Sequence, residues 1–242
     1  MPVIYIEEVS STNDYLKSMI LNNSLEDFTW LVAASQTQGK GQRGNHWQSR
    51  PGENLTFSVY KQYTELAIED QFKIAMQTAL AVSRVLSQYV QGVSVKWPND
   101  ILVGNKKIGG MLIETSVKGS HINWAIIGIG LNIQQTSFNK LPHATSLALE
   151  GVSQLVPAEI LKVLITEMTQ ALKDLEALNF IEVKAAYEAA LYGRGLVRQF
   201  VTPDGKAFSG VIQGVTRQGA LALTLLDGSA ETYMLKKISM RY

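Results

Sequence analysis

The distribution of apolar and polar residues along the first quarter of the chain predicts strands that alternate with one helix. Val3 to Glu7 alternates like a short strand, and an apolar set behind several N-cap candidates predicts a helix from about Thr12 to Leu21. The compact apolar run from Trp30 to Ala34 predicts a central strand, and Leu55 to Tyr60 predicts another. Residues 36 to 52 are rich in glycine and follow neither period, so we predict a long loop there.

The middle of the chain predicts one long helix followed by a hairpin. Apolar residues recur at i, i+3 and i+4 from Ile68 to Val90, which is typical of an amphipathic helix. Ile101 to Val103 and Ile108 to Thr115 flank the turn Gly104-Asn105-Lys106 and predict a hairpin. Ile122 to Ile133 then predicts a long buried strand.

Two more helices are predicted, from about Pro157 to Leu178 and from Phe180 to Leu191, the first with a proline at its N1 position. The order of elements is strand, helix, strands, helix, hairpins and helices. This order differs from a repeated βαβ pattern and predicts an α+β fold, in which a mixed β-sheet carries helices on one face.

The pattern changes at Tyr192-Gly193-Arg194-Gly195, and no helical period follows it. Short strand-like runs separated by turn residues follow: Leu196 to Val201, Ala207 to Val215, Ala220 to Leu226 and Glu231 to Ser239. Four or five short strands in about fifty residues predict a small β-barrel. We therefore predict two domains, 1–192 and 193–242.

Composition and charge exclude several classes of protein. The chain has 242 residues, of which 46% are hydrophobic, and a net charge of +1, so we expect neither disorder nor nucleic-acid binding. It contains no cysteine, which excludes a disulfide framework, a thiolate metal site and a cysteine nucleophile. No targeting signal and no apolar segment of membrane length is found, so we expect a cytoplasmic protein without a membrane partner.

The glycine-rich segment matches the pattern G-x-G-x-x-G at Gly39-Lys40-Gly41-Gln42-Arg43-Gly44. A dinucleotide-binding fingerprint must open a helix, and the residues that follow, Asn45 to Gly52, cannot begin one. The segment is then either an anion-binding lid, with its two cations and the flat face of Trp47, or an ordinary surface loop. The residues alone favour neither interpretation.

A second unusual segment is Lys96-Trp97-Pro98-Asn99-Asp100, at the end of an apolar strand. A lysine that is partly buried there needs an anion. That anion is either Asp100 or the carboxylate or phosphate of a ligand, and Lys107 lies across the predicted hairpin in reach of the same region. Gly128 and Gly130 interrupt a buried strand, which indicates a bulge or the close approach of a ligand or another backbone.

With these segments in this order, the chain resembles the biotin–protein ligases, also called biotin–acetyl-CoA-carboxylase ligases, over nearly its whole length. The resemblance rests on five segments and on the C-terminal turn: Ser11-Thr12-Asn13, Gln36 to Gly44 with Trp47, Lys96 to Asp100, Lys107 to Glu114, Gly128 to Asn132, and Arg217 to Leu221. Each segment is weak alone, but their combination is highly specific.

The resemblance implies a catalytic domain like those of class II synthetases and biotin/lipoate ligases, followed by an SH3-like barrel. It implies two half-reactions. Biotin and Mg-ATP first give biotinyl-5′-AMP, and a lysine of a biotin carboxyl carrier domain then takes the biotinyl group. Neither step needs an enzyme nucleophile, which agrees with the absence of cysteine. The alternatives are a lipoate–protein ligase and a non-catalytic module that binds biotin or an adenylate.

Residue roles follow from the resemblance by position. The catalytic residues it implies are Lys96 and Lys40. The biotin-binding residues it implies are Ser11, Thr12, Asn13, Gln36, Lys40, Gly41, Gln42, Lys96 and Gly110. The ATP-binding residues it implies are Gly39, Arg43, Trp47, Asn99, Asp100, Lys107 and Asn132. Metal ligands do not follow from the sequence.

Two departures from the family pattern carry expectations. The loop of many members reads G-R-G-R, whereas this chain has Gly39-Lys40-Gly41-Gln42, so we expect weaker retention of the adenylate. Some members carry an N-terminal helix-turn-helix and repress transcription. Here the first strand begins at residue 3, so we expect a ligase only. Some members also dimerise by pairing sheet edges, which makes a homodimer a candidate assembly.

Overall fold

A mixed seven-stranded β-sheet forms the centre of the computed structural model, which describes residues 1–22, 25–139 and 141–241 apart from the side chains of residues 22 and 43. Its strands are β1 (Val3–Val9), β2 (Thr29–Gln36), β3 (Asn54–Gln62), β4 (Val93–Lys96), β5 (Asp100–Val103), β6 (Lys106–Lys118) and β7 (His121–Asn132). Their order across the sheet is β1-β2-β3-β7-β6-β5-β4. β1 and β2 pair in parallel, and the other neighbours pair antiparallel, so the predicted mixed sheet is confirmed.

The predicted helices are present, and all but the first are shorter than predicted. They are α1 (Thr12–Asn22), α2 (Phe72–Leu86), α3 (Pro157–Lys173) and α4 (Phe180–Ala189). A single 3₁₀ turn over Ile68–Asp70 precedes α2, so the predicted start at Ile68 is a turn that leads into the helix. Pro157 begins α3, as predicted for an N1 proline.

The helices pack on both faces of the sheet, so the prediction that they gather on one face is wrong for α1. Successive side chains of a strand point to opposite faces. On β2, Trp30 and Val32 join the large core that also contains residues of α2, α3 and α4. Leu31 between them joins a smaller cluster with Leu16 of α1. The helical period shows that α1 has an apolar side but does not indicate which face of the sheet it covers.

A five-stranded antiparallel sheet follows, consisting of β8 (Val197–Val201), β9 (Ala207–Val215), β10 (Leu221–Leu225), β11 (Ala230–Tyr233) and β12 (Ser239–Met240). Its order is β11-β10-β9-β8-β12, so within the described residues it is an open sheet with β11 and β12 at its edges. The predicted strand from Glu231 to Ser239 is divided in two. Lys236 adopts a left-handed backbone conformation (φ 72°), which an extended strand cannot accommodate.

The two sheets share one hydrophobic core. Phe200 and Leu221 of the C-terminal sheet belong to the same cluster as Tyr187 of α4. A polar contact adds to it, because the buried carboxylate of Glu188 accepts a hydrogen bond from the backbone nitrogen of Val215 at 2.8 Å. The domain boundary at residue 192 stays a prediction.

Candidate active site

A cleft of about 230 Å³ opens on the α1 face of the large sheet. Most of the residues singled out from the sequence line it: Ser11, Thr12, Asn13, Gln36, Lys40, Gly41, Gln42, Trp47, Lys96, Asn99, Asp100, Lys107 and Gly110. These residues come from segments that are far apart in the chain. The structure therefore brings the separate motifs together in one place, while the role of each residue stays a prediction.

The glycines of β7 form the floor of this cleft. The sheet register places Gly128 between Ser58 of β3 and Leu112 of β6, and Gly130 between Thr56 and Gly110. The alternation of a strand directs both glycines to the cleft face, and Ile129 between them joins the core on the other face. The sequence predicted a bulge or the approach of a ligand or another backbone at these glycines, whereas the structure places the side chains of Asn13 and Trp47 against them.

Trp47 lies directly over Gly130 and its neighbour Gly110. A Cβ atom added to Gly130 would lie 2.2 Å from Trp47 Cε2, and one added to Gly110 would lie 3.4 Å from Trp47 Cζ3. The glycine-rich segment folds back as a small hairpin, in which Trp47 N donates to Gly39 O (2.9 Å) and Gly41 N donates to Asn45 O (2.7 Å). Glycine at positions 110 and 130 therefore lets the indole ring lie against the sheet, where it lines the cleft.

The buried start of α1 forms the polar end of the cleft. Thr12 donates two hydrogen bonds to Gln36 Oε1, from its backbone nitrogen at 2.8 Å and from its hydroxyl at 3.2 Å. Only the carbonyl oxygen of the Gln36 amide can accept from a backbone N–H, so its Nε2 is directed away from Thr12. Ser11, Thr12 and Asn13 are each less than 5% exposed, so their polar atoms need partners in the protein or on a ligand.

Asn13 lies over Gly128 in the floor of the cleft. A Cβ atom added to Gly128 would lie 2.2 Å from Asn13 Oδ1, and Ser58 Oγ donates to the same oxygen at 2.7 Å. Asn13 Nδ2 donates to Leu112 O at 3.2 Å and to Glu114 Oε2 at 2.8 Å. The sequence did not single out Ser58, and it named Glu114 only as the last residue of the Lys107 to Glu114 segment, with no role of its own. A polar residue inside the apolar strand Leu55 to Tyr60 was the signal for Ser58.

Lys96 is the buried cation of the cleft, with 6% of its surface exposed. Burial lowers the pKa of Lys96 to about 8, although the nearby charge of Asp100 opposes this shift and the charge of Lys107 adds to it. Asp100 forms an ion pair with Lys107 at 2.6 Å, and Lys107 Nζ lies 5.5 Å from the centre of the Trp47 ring. Lys96, Lys107 and Trp47 thus surround a position suited to an anionic group and a flat ring.

The second loop cation, Lys40, lies near the cleft entrance and is half exposed. Its ammonium forms an ion pair with Asp14 of α1 at 2.6 Å, and this hydrogen bond raises the pKa of Lys40. The contact joins the glycine-rich segment to α1. An exposed ion pair of this kind contributes little to stability.

Two predicted ATP-binding residues, Gly39 and Asn132, do not line the cleft. Gly39 shapes the hairpin, since a Cβ there would lie 2.6 Å from Trp47 O. Asn132 is buried behind the cleft, and its Nδ2 donates to Thr145 O at 2.9 Å, while Thr145 N donates to Lys107 O at 2.8 Å. Asn132 thus supports the segment that holds Lys107, and its contact with a nucleotide stays a prediction. The side chain of Arg43 lies outside the described residues.

The C-terminal sheet reaches the cleft, which the sequence did not predict. Ile238, Ser239 and Met240 line it, and Trp97 Nε1 donates a hydrogen bond to Gly219 O at 2.9 Å. No cluster of three or more His, Cys, Asp or Glu side chains suited to a metal is found among the described residues. In the same part of the chain, no helix is long and apolar enough to cross a membrane.

The fold and the cleft together define a small-molecule site with a hydrogen-bonding end, a buried lysine and a flat aromatic wall. Residues 5–132 match the model of the biotin/lipoate A/B protein ligase family, and the chain belongs to that family. The structure of the Aquifex aeolicus biotin protein ligase in complex with biotin and ATP superposes with a TM-score of 0.82 at 26% identity, over 99% of this chain and 98% of that one.

Two relatives extend this similarity along the sequence. The bifunctional ligase/repressor BirA of Bacillus subtilis is 27% identical over 238 residues, which cover 96% of this chain and 72% of that protein. The biotin–[acetyl-CoA-carboxylase] ligase of Mycobacterium tuberculosis is 25% identical over 222 residues, which cover 90% of this chain and 81% of that protein. Both alignments extend beyond the family match into the C-terminal sheet.

Proposed function

We propose that this protein is an ATP-dependent ligase that activates biotin as biotinyl-5′-AMP and transfers it to a lysine of a biotin carboxyl carrier domain. The family, and relatives whose names describe biotin ligases, support ligase activity. One observation carries the choice of biotin. The polar end of the cleft has fixed hydrogen-bonding directions that complement a ureido group.

The ureido group of biotin has two N–H donors and one carbonyl acceptor. Asn13 Oδ1 lies over the cleft floor as an acceptor, because its Nδ2 is used by Leu112 O and Glu114. Gln36 Nε2 is left as a donor, because its Oε1 is used by Thr12. The Ser11 hydroxyl lines the same end of the cleft and can donate or accept a hydrogen bond. Buried polar atoms of this kind reject a ligand that leaves them unpaired.

The dithiolane ring of lipoate offers no N–H donor and no carbonyl, so it would leave Gln36 Nε2 without an acceptor and Asn13 Oδ1 with only the hydrogen bond from Ser58 Oγ. This physical difference favours biotin over lipoate. It also makes the amides of Asn13 and Gln36, together with Ser11, the proposed head-group site. We extend the biotin site to Thr12, Lys40, Gly41, Gln42 and Gly110 because these residues line the same cleft.

The other end of the cleft is suited to the adenylation step. The carboxylate oxygen of biotin bonds to the α-phosphorus of ATP, and the bond to pyrophosphate breaks. The ammonium of Lys96 would neutralise the charge on the oxygens of the reacting phosphate, and its burial strengthens that interaction relative to water. We place the adenine beside Trp47 and the phosphates near Lys107, with Asn99 and Asp100 adjoining.

In the second step the amine of a carrier lysine bonds to the carboxyl carbon, AMP leaves with the former carboxylate oxygen, and the amine loses a proton. No side chain of the enzyme is acylated. The glycine-rich segment and the C-terminal residues that line the cleft would exclude water from the mixed anhydride.

Mg²⁺ would arrive with ATP. The ion takes most of its ligands from phosphate oxygens and water, and it needs only one or two protein carboxylates. Asp100 is the cleft carboxylate suited to this contact, and the absence of a larger acidic cluster among the described residues fits a metal carried by the nucleotide.

Several architectural predictions belong to the same proposal. We propose that the C-terminal sheet is the open form of an SH3-like module, with the domain boundary near residue 192. A homodimer that pairs sheet edges would use β1 or β4, the edge strands of the large sheet. Neither assembly nor boundary is needed for the chemistry described above.

Transfer to a carrier tests the function as a whole. The purified protein is incubated with biotin, Mg-ATP and a biotin carboxyl carrier domain, and the mass of the carrier is measured. We expect one added biotinyl group, and none on a carrier whose target lysine is replaced by arginine. Labelling of both carriers, or of neither, would contradict enzymatic transfer to that lysine.

A further inference from the structure

Glu114 of β6 holds the buried amide of Asn13 in one orientation. Asn13 Nδ2 lies 2.8 Å from Glu114 Oε2 and 3.2 Å from Leu112 O. Carboxylate and carbonyl oxygens accept hydrogen bonds and do not donate them, so the amide nitrogen of Asn13 must face both. Its oxygen is thereby directed to the opposite side, toward Ser58 and the floor at Gly128.

Both oxygens of the Glu114 carboxylate contact side chains of α1. Lys17 follows Asn13 by four residues, so both side chains lie on the same face of the helix. Lys17 Nζ forms an ion pair with Glu114 Oε1, and Asn13 occupies the other carboxylate oxygen. Glu114 does not line the cleft, so any effect it has on a ligand passes through Asn13.

We propose that Glu114 is a positioning residue that keeps Asn13 Oδ1 directed at the ligand and so selects head groups that donate an N–H. The inference rests on the proposed function, because the ureido N–H of biotin is such a donor. A carboxylate outside the cleft thus takes part in ligand selectivity. The cleft residues alone do not account for this selectivity.

Glu114→Gln is the sharpest single substitution, because it keeps the size of the side chain. The new amide can donate as well as accept, so only the weaker contact with Leu112 O and the contact with Ser58 still favour the original orientation, and Asn13 turns more readily to present its N–H groups to the ligand. We expect the KM for biotin in ATP–pyrophosphate exchange to rise by about tenfold, the equivalent of one hydrogen bond, while the KM for ATP changes by less than about twofold.

Lys17→Met is the matched control, since it removes the other partner of Glu114 and leaves the contact with Asn13. We expect the KM for biotin to change by less than about threefold. A Lys17→Met variant as impaired as Glu114→Gln would overturn the proposal. So would equal increases in the KM values for biotin and ATP, because a general loss of structure affects both substrates.

A pair of substitutions tests the direction of the hydrogen bond. Asn13→Asp places a second carboxylate against Glu114, and we expect the KM for biotin to rise by about a hundredfold. Adding Glu114→Gln supplies an amide donor to the carboxylate introduced at position 13. One oxygen of that carboxylate then accepts from this amide, and the other faces the ligand as Asn13 Oδ1 does in the wild-type protein. We expect the double variant to recover at least about tenfold of that loss. A double variant no better than Asn13→Asp alone would contradict the proposal.

The orientation of Asn13 can also be measured without turnover. In ¹H–¹⁵N spectra, the side-chain amide protons of Asn13 should exchange slowly with solvent in the wild-type protein and at least about tenfold faster in Glu114→Gln. Slow exchange in both proteins would overturn the positioning role. If the wild-type protein shows no biotin-dependent pyrophosphate exchange, the proposed function fails, and this spectrum still decides whether Glu114 holds Asn13.

Discussion

The indole nitrogen of Trp97 donates a hydrogen bond to the backbone oxygen of Gly219 at 2.9 Å, and this contact joins the catalytic cleft to the C-terminal sheet. Trp97 follows Lys96 directly, so a displacement of the indole ring also moves the backbone of the buried lysine. Gly219 has a positive φ of 81°, and a Cβ there would lie 2.4 Å from Phe72 Cδ2. Only glycine therefore allows the turn to pack against Phe72 in the position where its oxygen accepts from Trp97.

Trp97→Phe should slow adenylate formation by about tenfold, because the lost hydrogen bond leaves Gly219 O buried without its donor. The matched control is Trp30→Phe. Trp30 is also fully buried, and its indole nitrogen has no hydrogen-bond partner among the described residues. Both variants should be less stable to urea, but only Trp97→Phe should change the rate of the folded protein. Equal rates in the two variants would contradict a link from the C-terminal sheet to Lys96.

Lys96→Met should lower the rate of adenylate formation by at least about a hundredfold, on the scale of one preorganised charge contact. Rapid-quench measurement of biotinyl-5′-AMP in a single turnover gives this rate directly. Lys61→Met is the control, since Lys61 is another buried lysine, paired with Asp27 at 2.8 Å and located outside the cleft. An unchanged rate in Lys96→Met would identify Lys96 as a structural residue.

Biotin should bind more weakly as the pH rises through about 8. Burial lowers the pKa of Lys96 to about 8 in the free protein, so the ammonium is present below that pH and lost above it. A bound carboxylate favours the ammonium and raises this pKa in the complex. Binding above pH 8 therefore takes up a proton, and the Kd should increase by up to about tenfold per pH unit.

Calorimetric titration between pH 6.5 and 9.5 checks this pH dependence. Repeating the titration in two buffers with different ionisation enthalpies gives the number of protons taken up on binding. Lys96→Met should remove both the slope and the proton uptake. A Kd that stays flat in the wild-type protein across this range would contradict the assignment of Lys96 to the ligand carboxylate.

Gln42→Arg should slow the release of biotinyl-5′-AMP by about tenfold. Gln42 lines the cleft where many family members carry arginine, and a neutral amide lacks the charge and the paired donors of a guanidinium. Adenylate formed on the enzyme is chased with unlabelled substrate, and the released fraction is followed in time. Identical release rates in the two proteins would show that Gln42 does not weaken retention.

The strands and helices could be predicted from the sequence because their periods are local. The two faces of the sheet could not be assigned, as α1 shows, since an amphipathic helix fits either face. The motif residues could be grouped only by resemblance. The roles of Ser58 and Glu114 could not be predicted because they depend on register. Register sets Ser58 and Leu112 on either side of Gly128, under Asn13, and Glu114 lies on the same face of β6 as Leu112. Pairings between distant strands are not visible in a local pattern.

The contribution of the C-terminal residues to the cleft could not be predicted for a similar reason. Ile238 and Ser239 are the last residues of a predicted strand, and Met240 follows it. Nothing in this pattern indicates that the three residues line a cleft built by the other sheet. The placement of Asn132 shows the converse. Its motif was recognised, but its amide supports the segment around Thr145 instead of lining the cleft. Long-range packing decided both cases.

ATP–pyrophosphate exchange, measured with biotin, with lipoate and with neither acid, tests the central claim most directly. The account predicts exchange that depends on biotin and is at most marginal with lipoate, because only biotin satisfies the amides of Asn13 and Gln36. Exchange driven by lipoate would contradict the selectivity derived from those amides. No exchange with either acid, in protein shown to be folded, would contradict the adenylation chemistry and leave a cleft that binds without turnover.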